Sequence, residues 1–202
     1  MSQRLFSLVL LAGTGVGFAA FADDAPRLMP DRDVDITYRV TSGDKTSGKT
    51  VTERVRWLAA DEMERIDPHG SGYLLHRSAY MLIDHRKKSA DIIDPKHRLV
   101  TSITDPVVGE LAEIENAKLM PLGTATVAKL SCAVWHAEIA ANVEREVCLT
   151  GDGVLLRVRD GEKTLLEATA VKYHHISSKL FDIPPNYTAA PTAKSAPDFT
   201  SP

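Results

Sequence analysis

Apolar and polar residues alternate with a period of two along most of this chain. Val34, Ile36, Tyr38 and Val40 alternate with Asp35, Thr37 and Arg39, and Val51, Val55 and Trp57 alternate with Thr52, Arg54 and Arg56. Period two puts successive side chains on opposite faces of an extended chain, so these runs predict a half-buried antiparallel strand pair. Shorter strand candidates follow at residues 62–66, 73–77, 80–84, 90–93 and 99–103. Asp67-Pro68-His69-Gly70-Ser71-Gly72, Arg86-Lys87-Lys88 and Asp94-Pro95-Lys96-His97 separate them as turns. A strand every ten residues or so is the spacing of a meander, not of β-α-β units.

One segment departs from this pattern. Asp105 followed by Pro106 reads as an N-cap and first-turn proline, and Val107, Leu111, Ile114 and Lys118 then recur at helical spacing until Pro121 and Gly123. A helix over residues 106–118 is expected. Strand patterns resume at 125–130, 132–138, 142–149, 154–159 and 165–173, and from Thr188 the chain is Ala, Thr, Ser and Pro with few apolar residues. Residues 188–202 are read as a disordered tail.

The first 22 residues change the picture from fold to location. Arg4, the apolar run at residues 5–11, the glycines between 13 and 17 and the small-x-small site Ala20-Phe21-Ala22 predict a cleaved export signal, with the mature chain starting at Asp23. The apolar run is too short to span a bilayer, and Asp23, Asp24 and Pro26 follow it, so no transmembrane anchor is expected after cleavage. The location expected is periplasmic or secreted. Residues 23–187 are the size of one domain and can bury a core without metal or disulfide support. The chain carries a net charge of −3 with acids and bases interspersed, which argues against a nucleic-acid partner and against anionic lipid surfaces.

The two cysteines, Cys132 and Cys148, are an even pair in an exported chain and are expected to form a disulfide. A hairpin turning at Ala140 sets Cys132 directly opposite Cys148 and puts Ala133, Trp135, Ala137, Val143, Val147 and Leu149 on one face. His136, Glu138, Glu144 and Glu146 take the other, and Arg145 is the charged exception on the apolar face.

Several motifs fail their context. Gly43-Asp44-Lys45-Thr46-Ser47-Gly48-Lys49-Thr50 matches the phosphate-binding loop pattern. Such a loop must lead into a helix, whereas residues 51–58 alternate as a strand. Gly70-Ser71-Gly72 lacks the glycine spacing of a nucleophile elbow. His136-Ala137-Glu138 begins a zinc deaminase signature that nothing completes, and no Cys-x-x-Cys or His-Glu-x-x-His occurs. Asp84 with Asp91, and Glu144 with Glu146, are read as solvated charge, and the histidines as surface residues. No catalytic residue, metal or cofactor is expected. Asn186-Tyr187-Thr188 fits a glycosylation sequon.

Two stretches carry a family likeness. Residues 82–95, with Leu82-Ile83-Asp84-His85-Arg86-Lys87-Lys88 and Ile93-Asp94-Pro95, resemble the strand, basic turn, strand and Asp-Pro turn of periplasmic LolA/LolB-like proteins. Leu180-Phe181-Asp182-Ile183-Pro184-Pro185-Asn186-Tyr187 resembles the Phe-x-x-Pro-x-x-Tyr closing segment of related periplasmic domains, with Asn186 where a glycine often stands. The resemblance implies a mainly β (α+β) domain, a curved antiparallel sheet forming a half-barrel or open barrel with the 106–118 helix across it. It implies a non-enzymatic binding module for a lipid, acyl chain or other apolar envelope ligand. The residues expected to line the cavity are Val34, Ile36, Tyr38, Val55, Trp57 and Trp135. The alternative is an envelope interaction or structural protein, with a filled core and a protein partner.

Overall fold

The computed structural model describes residues 25–41, 50–69, 78–103, 114–140 and 143–191. The alternating segments form strands β1 (Val34–Thr41), β2 (Thr50–Leu58), β3 (Met63–His69), β4 (Tyr80–Asp84), β5 (Ser89–Asp94) and β6 (Leu99–Ile103). After these come β7 (Lys118–Val127), β8 (Leu130–Ala140), β9 (Val143–Leu149), β10 (Leu155–Asp160), β11 (Lys163–Tyr173) and β12 (Thr188–Ala189). They share one open sheet in the order β12-β6-β5-β4-β3-β2-β1-β11-β10-β9-β8-β7. Two meanders, β1–β6 and β7–β11, are joined by antiparallel pairing of β1 with β11. The expected mainly β class and meander order are observed.

The turns at 84–88 and 94–98 form for the local reasons the sequence suggests. Asp84 accepts the Lys87 amide at 2.9 Å, Asp94 accepts those of Lys96 and His97, and Lys88 and Arg98 close the turns at positive φ. The side-chain oxygens satisfy amides that a tight turn leaves unpaired.

Curvature is uneven. Every register shift among the described pairs falls on β1–β11, β11–β10, β10–β9, β9–β8 or β8–β7, while β1 to β6 pair without one. Each extra residue bends its strand and increases twist. That half of the sheet curls until β7 meets β11, although three strands lie between them.

Register fixes the two faces. Val34 opposes Trp57 and Ile36 opposes Val55; Ile66 opposes Val55 and Met81, and Ile92 opposes Met81. These residues make the inner face and the main core. A second cluster, Leu58, Tyr80, Leu82, Ile93 and Val100, lies on the outer face and is covered by Ile176 and Phe181, with Tyr187 beside them. The closing segment is therefore a strap. It turns through a 3-10 helix at Ser178–Phe181, receives a 2.8 Å hydrogen bond from Arg65 Nη1 to the Leu180 carbonyl, and ends as β12, parallel to β6.

Four expectations need correction or placing. The tail placed from Thr188 begins in the sheet: Thr188 N–H donates to Arg98 O at 2.9 Å and Ala190 N–H to Val100 O at 2.7 Å. Of the helix expected over 106–118, residues 106–113 lie outside the described residues, and Lys118 belongs to β7. Pro121 and Gly123, read as its end, sit inside β7 at a register shift, where a strand tolerates a missing N–H. In the cysteine hairpin Val134, not Cys132, opposes Cys148; the pairing is offset by two residues, which moves the centre of the turn by one. A slip of two preserves which face each side chain takes, so Trp135, Ala137 and Val147 share the face they were assigned. Residues 1–22, 43–49 and 73–77 lie outside the described residues, but the strand β2 begins at Thr50 where a phosphate loop would need a helix.

Gly153 shows how closely the N-terminal segment is fitted. It has φ +91°, and a Cβ there would run into the Met29 backbone oxygen. Gly153→Ala is expected to cost more than about 1 kcal/mol, because both the backbone conformation and the space are wrong for a side chain. Thermal unfolding measures it, and an unchanged melting temperature would contradict the close approach.

Candidate binding face

The sheet brings five of the six expected lining residues together. Val34, Ile36 and Tyr38 on β1 face the same way as Val55 and Trp57 on β2, and all five are buried within one apolar cluster. Trp135 shares the face but not the neighbourhood: β1, β11, β10 and β9 stand between β2 and β8. It packs, half-buried, at the edge of the same cluster.

Polar groups are set into this apolar face. Tyr38 donates its hydroxyl to the Leu155 carbonyl at 2.6 Å. Burial, with the carboxylates of Glu64 and Glu53 adding to it, pushes the Tyr38 phenol well above its ordinary value, so it acts only as a neutral donor. Glu53 and Glu64 are 6% and 7% exposed, opposite Tyr38 and Trp57 respectively. His85 closes this group: its Nε2 lies 2.9 Å from Glu64 Oε2, and its ring is 5.0 Å from that of Trp57. His85 does sit in a turn, but the turn folds it inward. Period two did place Glu53 and Glu64 on the apolar side, a signal available in the sequence.

Three side-chain donors are buried without a hydrogen-bond partner among the described residues: Trp57 Nε1, Trp135 Nε1 and Arg145 Nε. All three residues belong to the inner face by register. Buried donors are nearly always paired, so a face carrying three is unusual.

The cysteine pair lies on the opposite face from Trp135. Its sulfurs are at disulfide distance, 2.03 Å, with Cα atoms 5.5 Å apart, and both residues are buried. Their positions are diagonal across β8 and β9, not directly opposite.

The outer face carries charge. Arg54 donates to Asp35 through Nε at 2.8 Å and through Nη2, Arg56 Nη1 is 2.7 Å from Asp67, and Arg65 reaches the same Asp67 at 2.8 Å. Burial works to raise the Asp35 pKa, but the hydrogen bond and charge of Arg54, with Arg56 and His174 behind it, outweigh this and hold it below 3.8. A carboxylate held low stabilises the fold above its unfolded pKa and stops doing so as the pH falls through its folded one. Asp35→Asn is therefore expected to be less stable than the parent at neutral pH, with the difference shrinking as the pH falls through the lowered pKa of the folded carboxylate. Urea unfolding across pH would show this, and a difference that persisted or grew in acid would contradict it.

Also on the outer face is a half-open pocket of about 320 Å³, between Leu58, Met63 and Phe181 and the charged rim of Asp61, Asp84, Arg86, Lys87 and Asp182. Lys87 occupies Asp84 at 2.8 Å. Among the described residues no group of three His, Cys, Asp or Glu is placed to hold a metal ion, and no helix is long and apolar enough to cross a membrane.

An uncharacterised conserved protein from Thermus thermophilus has a like structure: TM-score 0.57 at 13% identity, covering 80% of this chain and 91% of that one. The fold is shared; the sequence is not. No family model and no curated protein matches the chain. Two further solved structures align less well. A LolA superfamily protein from Nitrosomonas europaea gives 0.43 at 10% identity over 77% of this chain and 92% of that. The MucA/MucB complex of Pseudomonas aeruginosa gives 0.48 at 11%, over 78% and 58%.

Proposed function

We propose that this chain is an exported, non-enzymatic binding module whose inner face holds a lipid, acyl chain or other apolar ligand in the cell envelope. One observation carries the reading. The open sheet gathers an apolar cluster around Val34, Ile36, Val55 and Trp57, and the same face holds buried donors that have no partner among the described residues. A filled core has no use for an orphaned indole N–H, whereas a ligand with an acceptor does. The half-barrel likeness noted in the sequence agrees, because proteins of that kind carry acyl chains inside such a sheet. Export follows from residues 1–22, and N-terminal sequencing of the protein from its own host should begin at Asp23. Cys132 and Cys148 are then a disulfide, consistent with their distance and with an oxidising compartment.

Native mass spectrometry and solvent extraction of protein purified from its own host test the reading. A co-purifying apolar molecule released by solvent is expected, and its absence across preparations would overturn it. The second reading, an envelope protein that binds another protein through a filled half-barrel, draws on a different observation. Val34, Ile36, Tyr38, Val55 and Trp57 are already buried. An empty extract together with a stable protein partner would favour it.

A further inference from the structure

The inner face has a charged end. Trp135 opposes Val147 and Arg145 opposes Ala137 across the β8–β9 pair. Residues two apart on a strand share a face, so Trp135 and Arg145 are diagonal neighbours. Diagonal positions lie about 7–8 Å apart, within reach of an indole and a guanidinium. Each buries a donor without a partner among the described residues, Trp135 Nε1 and Arg145 Nε. Both groups are donor-only.

The charge of Arg145 is incompletely matched. Its Nη1 donates to the Glu144 carbonyl at 2.9 Å and lies 3.4 Å from Asp160 Oδ2, and that carboxylate is 58% exposed. Water screens such a partner. Beside the two donors the same face turns apolar: Val147 opposes Val158, which opposes Leu166, and all three are buried. The arrangement is a pair of neighbouring unpartnered donors, one of them cationic, beside an apolar stretch of the same face. Its complement is an acceptor-only, anionic group joined to a hydrocarbon.

We propose that Trp135 and Arg145 clamp the acid head of an amphiphile, a carboxylate or phosphate, whose apolar chain extends along the adjoining inner face. This rests on the binding-module reading and names its ligand class. The head accepts from Trp135 Nε1 and Arg145 Nε, giving each buried donor the partner it lacks. Glu53 and Glu64, buried elsewhere on the face, repel an acid head from the Trp57 region and leave the β8–β9 end as its place.

Calorimetry on protein purified from its own host and stripped of bound lipid tests the clamp with five probes: laurate, dodecyl phosphate, 1-dodecanol, acetate and inorganic phosphate. Laurate or dodecyl phosphate should bind at least about tenfold tighter than dodecanol, since a charge-assisted hydrogen bond is worth roughly that factor. The tighter of the two identifies the head. Arg145→Met and Trp135→Phe should each weaken the acid-headed probe by about tenfold and leave dodecanol unchanged. Arg145→Lys, which keeps the charge and loses the Nε donor, serves if the methionine variant does not fold. Equal affinities for the acids and the alcohol, or variants that bind laurate as the parent does, would overturn the clamp while leaving the apolar reading intact. Acetate or phosphate binding as tightly as laurate would mark a bare anion site and overturn it too. If no chain-bearing probe binds, dodecanol included, the binding-module reading fails and the clamp with it.

Discussion

Trp57→Ala is expected to lower the unfolding free energy by about 3–5 kcal/mol, the range for truncating a large buried aromatic. Trp57 is 2% exposed, pairs with Val34 across β1–β2 and stands against His85. Truncation opens a space between two strands whose backbones are held by their ladder, so the site has little freedom to collapse. Trp57→Phe separates packing from polarity. It loses less volume and removes an N–H that has no partner, so its cost should fall well short of the alanine variant's. Urea unfolding of both gives the comparison. If the two substitutions cost the same, the indole N–H is satisfied in solution and the inner face holds one orphan fewer than the structure shows.

Cys148→Ser is expected to cost about 3 kcal/mol, the chain-entropy value for a closed loop of this length. The sequence separation is 16, and both cysteines are buried, so a serine hydroxyl there also needs a partner. The effect should be matched by reductant on the parent and should be absent when reductant is added to the variant. Chemical denaturation with and without dithiothreitol decides it. A parent indifferent to reductant would mean that the thiols are not bonded in the purified protein.

Much of the fold was legible because period-two alternation is a strong signal where one face is buried. β4 and β6 coincide with their expected limits, and β1 and β2 pair as expected. Parity explains why the cysteine hairpin could be placed two residues out and still give the right faces. What alternation does not show is the strap. Ile176, Phe181 and Tyr187 follow no period, because each meets the outer face from an irregular segment. Two-residue strands such as β12 leave no sequence pattern at all. The helical spacing at 107–118 misled at its end for a related reason: Lys118 fits a helical stripe, and a strand that begins there has its own alternation broken by Pro121 and Gly123.

The candidate site was legible in part. Apolar residues of β1 and β2 were identified from alternation alone, but the pairing of His85 with Glu64 depends on a turn folding back over the sheet, which spacing cannot reveal. The orphaned donors were invisible for a different reason. Whether Arg145 is satisfied depends on strands β8, β9 and β10 together, and the sequence shows only that a base falls on an apolar face.

β12 has one further consequence. By covering Leu99 and Val100 it blunts the β6 side of the sheet, and β7, ten residues long, is the end strand on the other. An end strand offers its backbone to other chains. Among the described residues β7 is the longer of the two end strands, so an association between copies that joins β7 to β7 closes at a pair. Trimming the chain before Thr188 would bare the second margin and turn a self-terminating contact into one that can propagate, which is the geometry of a fibre.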